Sequence, residues 1–101
     1  MNNQDISLIY LFAKTIEAET TEEGLKKAKP IALSARNFAR AMKMPYRDDH
    51  WGAADGEFTF RLSFSIHGKQ NAILPLVSAL FAFAASHELS LINQLYHTEK
   101  M

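Results

Sequence analysis

The stretch from Gly56 to Ile66, GEFTFRLSFSI, alternates without a break. Phe58, Phe60, Leu62, Phe64 and Ile66 fall on one side, and Glu57, Thr59, Arg61, Ser63 and Ser65 on the other. Period-two alternation is the pattern of a β-strand with one buried and one wet face. A strand cannot stand alone, because its backbone amides and carbonyls need partners. Either the rest of the chain supplies further strands or a second copy does.

The run Ser7–Ala18, SLIYLFAKTIEA, is the first source of such a strand. Its periodicity fits two templates. Ile9, Ala13 and Ile16 would share a helix face, whereas Leu8, Tyr10, Phe12 and Ile16 would share a strand face. The following residues decide for a strand over 8–18. Thr20 and Glu23 form a capping box, in which each side chain satisfies the other's free backbone amide, so a helix begins near Thr21. Continuous apolarity from Leu8 to Ala13 predicts a central strand covered on both faces.

The helix is expected to run to about Met44, where Pro45 ends it. Leu25, Ala28, Ala32, Ala35, Phe38, Ala39 and Met42 form its apolar stripe. Pro30 removes one amide donor inside this pattern and predicts a kink or a division into two helices. The segment MPYRDDHWGAADG then collects turn formers, with Asp55-Gly56 a strong turn signal before the alternating strand. Residues 46–52 fit either a short strand of a hairpin or a polar loop.

A second helix is expected over roughly Ala72–Ser86, starting cleanly at Pro75. It is apolar on nearly every side, which implies enclosure by its own domain or by another subunit. The tail from Leu89 to His97 reads as a last strand, with a continued helix as the alternative. The resulting order, β-α-β-β-α-β, resembles the ferredoxin-like arrangement. That resemblance implies an α+β domain with an antiparallel sheet and two helices packed on one face. The competing architecture is mostly helical, with the alternating strand paired to its twin as an intersubunit β-ribbon in a homodimer.

The 101 residues argue for a single domain, 1–101. With 48% hydrophobic residues and seven Phe, a packed core needs no staples. There is no Cys, which excludes disulfides and thiolate chemistry and fits a cytoplasmic setting. The N-terminal stretch lacks a basic start and a small-residue cleavage site, and no apolar run reaches the roughly 20 residues needed to cross a bilayer. No membrane role is expected.

Charge order is more informative than the net charge of zero. From Gly24 to Arg47 there is no acid, yet seven basic residues occur: Lys26, Lys27, Lys29, Arg36, Arg40, Lys43 and Arg47. At helical spacing Lys26, Lys29, Arg36, Arg40 and Lys43 share one flank beside the apolar stripe. Acids bracket the segment on both sides. The flank is either a solvated outer face, whose cations also suit a helix C-terminus, or a ridge that meets carboxylates or phosphates.

Asp48, Asp49 and His50 form the densest reactive cluster. His50 with either carboxylate would suit general-base catalysis, and the same groups would suit a divalent cation, but no metal-site spacing is present. Tyr46 and Trp51 in this segment are candidate interface anchors. GEFTFRLSF superficially resembles the RNA-recognition signature but lacks its leading basic-Gly pair, and its aromatics lie on the strand's dry face. His67, His87 and His97 are scattered. No Gly-rich phosphate loop exists, so no cofactor is expected.

These features lead to a non-catalytic binding module acting through protein–protein contact. Lys29, Arg36, Arg40, Lys43, Tyr46, Arg47 and Trp51 are its expected contact residues, and the partner is a protein with an acidic face. In size and plainness the chain resembles phage or plasmid accessory inhibitors and immunity proteins that cap a toxin. Two alternatives stand beside this reading: a homodimeric nucleic-acid-binding regulator using the same ridge, and a small enzyme using His50 with Asp48 or Asp49.

Overall fold

The alternating stretch finds its partners within the chain. In the computed structural model, which describes residues 4–98, β1 (Asp5–Glu17) and β3 (Glu57–Lys69) pair antiparallel along their whole lengths. β2 (Tyr46–Ala54) pairs with the far side of β3, and β4 (Ser90–Thr98) with the far side of β1. The sheet order is β2-β3-β1-β4, all antiparallel. Helix α1 (Thr21–Met42) joins β1 to β2, and α2 (Leu74–Ser86) joins β3 to β4. This is the β-α-β-β-α-β, ferredoxin-like α+β fold, and the mostly helical alternative does not occur.

Register explains the core. Leu8 faces Ile66, Tyr10 faces Phe64, Phe12 faces Leu62 and Ile16 faces Phe58. The alternating apolar set of β3 is buried throughout, and Phe58, Leu62 and Phe64 are fully enclosed. Both helices cover this one face. Phe38 of α1 and Phe83 of α2 stack at 4.6 Å, and each meets the Phe64 ring edge-on. Phe81 of α2 rests edge-on against Tyr10 and Phe12.

The opposite face stays open, which corrects the expectation that β1 is covered on both sides. β1 is central, but Ile9 is exposed and Leu11 and Ala13 are half-buried. An antiparallel sheet tolerates one solvated face, and here that face keeps an apolar strip along its central strand.

α1 begins where the capping pair places it. Thr20 Oγ1 accepts from the Glu23 amide at 3.1 Å. Glu23 reaches back one residue further than a simple capping box, to the amide of Glu19 at 2.7 Å. The helix ends at Met42, with Lys43 in the left-handed region at φ 58°. It is one undivided element across Pro30. Pro30 and Lys26, whose carbonyl loses its usual donor, are both exposed, so water can take that bond.

The buried stripe also differs from expectation. Leu25 is exposed, and Gly24 takes its place against the sheet. A Cβ at Gly24 would lie 2.7 Å from the Phe58 Cβ and nearer still to its ring, so only glycine allows α1 to approach this closely. The rest of the buried stripe is Ala28, Ala35 and Ala39, so small residues set α1 low on β2 and β3.

Candidate partner-binding surface

The small-residue stripe of α1 fixes where its charges point. The Phe38 side of the helix faces α2, and Thr21 at the helix start accepts through its hydroxyl from the Ala53 amide of β2 at 3.2 Å. The flank carrying Lys26, Lys29, Arg36, Arg40 and Lys43 is therefore the one turned toward β2 and solvent, and all five are exposed. Leu25 and Leu33 are interleaved with these cations and stand 42% and 46% exposed. The ridge is thus both basic and apolar. The sequence reading missed this interleaving because it assigned Leu25 to the core and did not place Leu33.

Ion pairing separates the ridge and Arg47 from the remaining cations. Lys14 pairs with Glu88, Lys27 with Glu23, Arg61 with Asp49 and Lys69 with Asp5. Among the described residues, none of Lys26, Lys29, Arg36, Arg40, Lys43 or Arg47 lies within 4 Å of a carboxylate.

The segment read as turn-rich is mostly strand. β2 runs from Tyr46 to Ala54, and the turn is confined to Asp55 and Gly56, both at positive φ, as a two-residue hairpin of the primed type requires. Because β2 is a strand, its side chains alternate between the two faces of the sheet. Tyr46, Asp48 and His50 lie opposite Phe64, Leu62 and Phe60, on the helix side. Arg47, Asp49 and Trp51 lie opposite Ser63, Arg61 and Thr59, on the open side. The expected contact residues therefore divide. Lys29, Arg36, Arg40, Lys43 and Tyr46 are together on the helix side, while Arg47 and Trp51 belong to the open face.

Tyr46 is half-buried against Phe64 and donates its hydroxyl to Asp48 Oδ2 at 2.7 Å. Burial, reinforced by the neighbouring Asp48 carboxylate, raises its phenol well above the ordinary value, and Arg36 opposes that shift. On the open side Arg61 holds Asp49 in a two-pronged contact, with 2.9 Å and 2.6 Å bonds, and its guanidinium lies 4.2 Å from the centre of the Trp51 ring. The Arg61 hydrogen bonds keep the Asp49 carboxyl below the usual carboxylate range. A shallow depression of about 380 Å³ lies beside this stack, lined by Leu11, Arg47, Asp48, Asp49, Arg61 and Ser63.

His50 does not join a carboxylate. Its ring lies flat against Phe58 at 5.3 Å, Asp48 is engaged by Tyr46, and Asp49 is held on the other face by Arg61. Among the described residues no group of three or more His, Asp or Glu is placed to hold a metal ion. Ser7 and His67 share a 2.7 Å hydrogen bond, His87 sits against Phe83, and the His97 side chain lies outside the described residues. A second depression, of about 500 Å³, is ringed mainly by Glu17, Glu19, Glu23, Asp55 and Glu57, with Lys27 among them. Among the described residues no helix is long and apolar enough to cross a membrane.

No family model matches the chain, and no curated protein matches it. Among solved structures it is similar to the de novo designed protein Ferredog-Diesel, at 9% identity and a TM-score of 0.39, over 99% of this chain and 88% of that one. A likeness of that degree carries no argument about function.

Proposed function

We propose that this chain is a protein-binding domain that receives an acidic, partly apolar partner surface on the outer flank of α1. The observation that carries the reading is the unpaired ridge. Apart from Arg47 on the open face, cations elsewhere on the described surface have carboxylate partners, whereas Lys29, Arg36, Arg40 and Lys43 do not. Exposed Leu25 and Leu33 between them add apolar contact, which a phosphate backbone would not use but a protein surface would. Tyr46, held by Phe64 and Asp48, closes the ridge at the β2 end with a rigid aromatic. The domain acts by occupying its partner, as an inhibitor or immunity-type protein does, and performs no chemistry through His50.

The test is capture of partners from lysate, with and without nuclease, comparing the native chain with an Arg36→Glu/Arg40→Glu variant. Retention of a protein partner after nuclease, lost in the variant at unchanged melting temperature, is the expected result. Material that disappears on nuclease treatment would instead favour the nucleic-acid reading, whose affinity falls steeply between about 50 and 200 mM salt. Undiminished capture by the variant would remove the ridge from consideration.

A further inference from the structure

We infer that β4 and the exposed flank of α2 form a second interface, and that its occupant is another copy of this chain. The two edges of the sheet are built differently. β2 carries Arg47, Asp48 and Asp49 and a register shift between Trp51 and Ala54, the charges and irregularity that keep an edge from pairing. β4, SLINQLYHT, contains no Asp, Glu, Lys, Arg or Pro. Its single irregularity lies near its start, opposite Leu11 and Phe12, and the pairing from Asn93 onward is regular.

The apolar surface continues from this edge onto the helix side. Phe81 of α2 lies on Tyr10 and Phe12, whose neighbours across the β1–β4 ladder are Gln94 and Leu91. α2 has no charged residue, yet it buries only Leu80 and Ala84 within the domain. Leu74, Phe81, Leu91, Ile92, Leu95 and Tyr96 stand between 37% and 69% exposed. Along β4 they flank the edge on both faces: Leu91 and Tyr96 lie opposite Phe12 and Leu8, on the helix side with Phe81, and Leu95 lies opposite Ile9, on the open side. Scattered apolar residues need no explanation, but an uncharged edge strand flanked by exposed apolar side chains on both faces marks an interaction site.

A second copy is the occupant that the chemistry selects. Across a two-fold axis an antiparallel edge strand meets its own reverse, so any charge near the axis would face its twin. β4 has none to repel, and equally none with which to select an oppositely charged stranger. The dimer would extend the sheet to eight strands and bring the two α2 flanks together. β2 and the α1 ridge lie at the far edge, so this inference stands independently of the ridge.

Sedimentation over about 1–500 μM brackets the micromolar or tighter affinity of such an interface. The expected result is a species of twice the 11.4 kDa chain mass. Ile92→Lys/Leu95→Lys should weaken the dimer by at least about a hundredfold, because the lysines of the two edge strands would be brought against their twins across the axis. Since the chain has no cysteine, single substitutions give a second readout that does not depend on the lysine variant folding. Leu95→Cys should cross-link chains under mild oxidation far faster than Trp51→Cys on the other edge. A monomer throughout the range, a dimer indifferent to a folded lysine variant, or equal cross-linking at both positions would overturn the inference.

Discussion

Replacing Gly24 by alanine tests the packing that orients the ridge. Glycine inside a helix is ordinarily a weakness, and alanine at an exposed helical site stabilises by about 1 kcal/mol. Here the added methyl would overlap the Phe58 side chain, which is fully buried under α1 and has nowhere to move. Overpacking of this kind costs about 1–3 kcal/mol. The steric cost is expected to exceed the propensity gain, leaving a net loss of ~1 kcal/mol, or about 4–8 °C in melting temperature for a domain of this size. Urea and thermal unfolding followed by circular dichroism would measure it. Phe58→Leu should then couple with Gly24→Ala, the pair costing at least ~0.5 kcal/mol less than the sum of the singles. A rise in stability for Gly24→Ala alone, with additive behaviour in the pair, would refute the close approach of α1 to β3.

The remaining predictions concern a backbone conformation and a proton. Lys43→Gly relieves the left-handed φ at the end of α1 and should raise stability by about 0.5–1 kcal/mol. Because Lys43 belongs to the ridge, the same variant should bind a ridge partner less well, so stability and affinity should move in opposite directions. Burial holds the Tyr10 and Tyr46 phenols above their ordinary value, so their stabilising contribution is complete below about pH 10. Above that, the unfolded chain releases protons that the folded one retains, and stability falls as pH rises. Thermal midpoints taken between about pH 9 and pH 11 should decline, and Tyr46→Phe should flatten the slope; a slope unchanged in that variant would assign the decline to other groups.

What the sequence made legible was whatever a single element determines alone. The alternation of β3, the Thr20–Glu23 helix start and the order of elements all follow from local pattern. The two-sided coverage of β1 did not follow, because apolarity at Ile9 and Leu11 marks a surface without saying what meets it. Gly24 was missed for a related reason. Hydrophobicity favoured Leu25 for the core, whereas the closeness of α1 to Phe58 demanded no side chain at all.

The faces of β2 depended on a detail no pattern announces. With Ala54 paired to Glu57, unbroken pairing would set Asp49 opposite Leu62. The extra residue between Trp51 and Ala54 sets it opposite Arg61 instead. That one-residue shift turns Trp51 outward, creates the Arg61 stack and brings Tyr46 to the helix side. The ridge was legible as a charge pattern, but its want of ion-pair partners emerged only when the acids were placed elsewhere.

The central position of β1 bears on how the chain reaches its fold. β1 precedes every strand it touches: β3 begins 40 residues after β1 ends, and β4 is the last of the described strands. Neither ladder can close until long loops have been brought together, and topologies dominated by such distant pairings fold slowly. During synthesis the LIYLFA segment would emerge with both of its edges vacant, and it is the stretch a chaperone would be expected to shield.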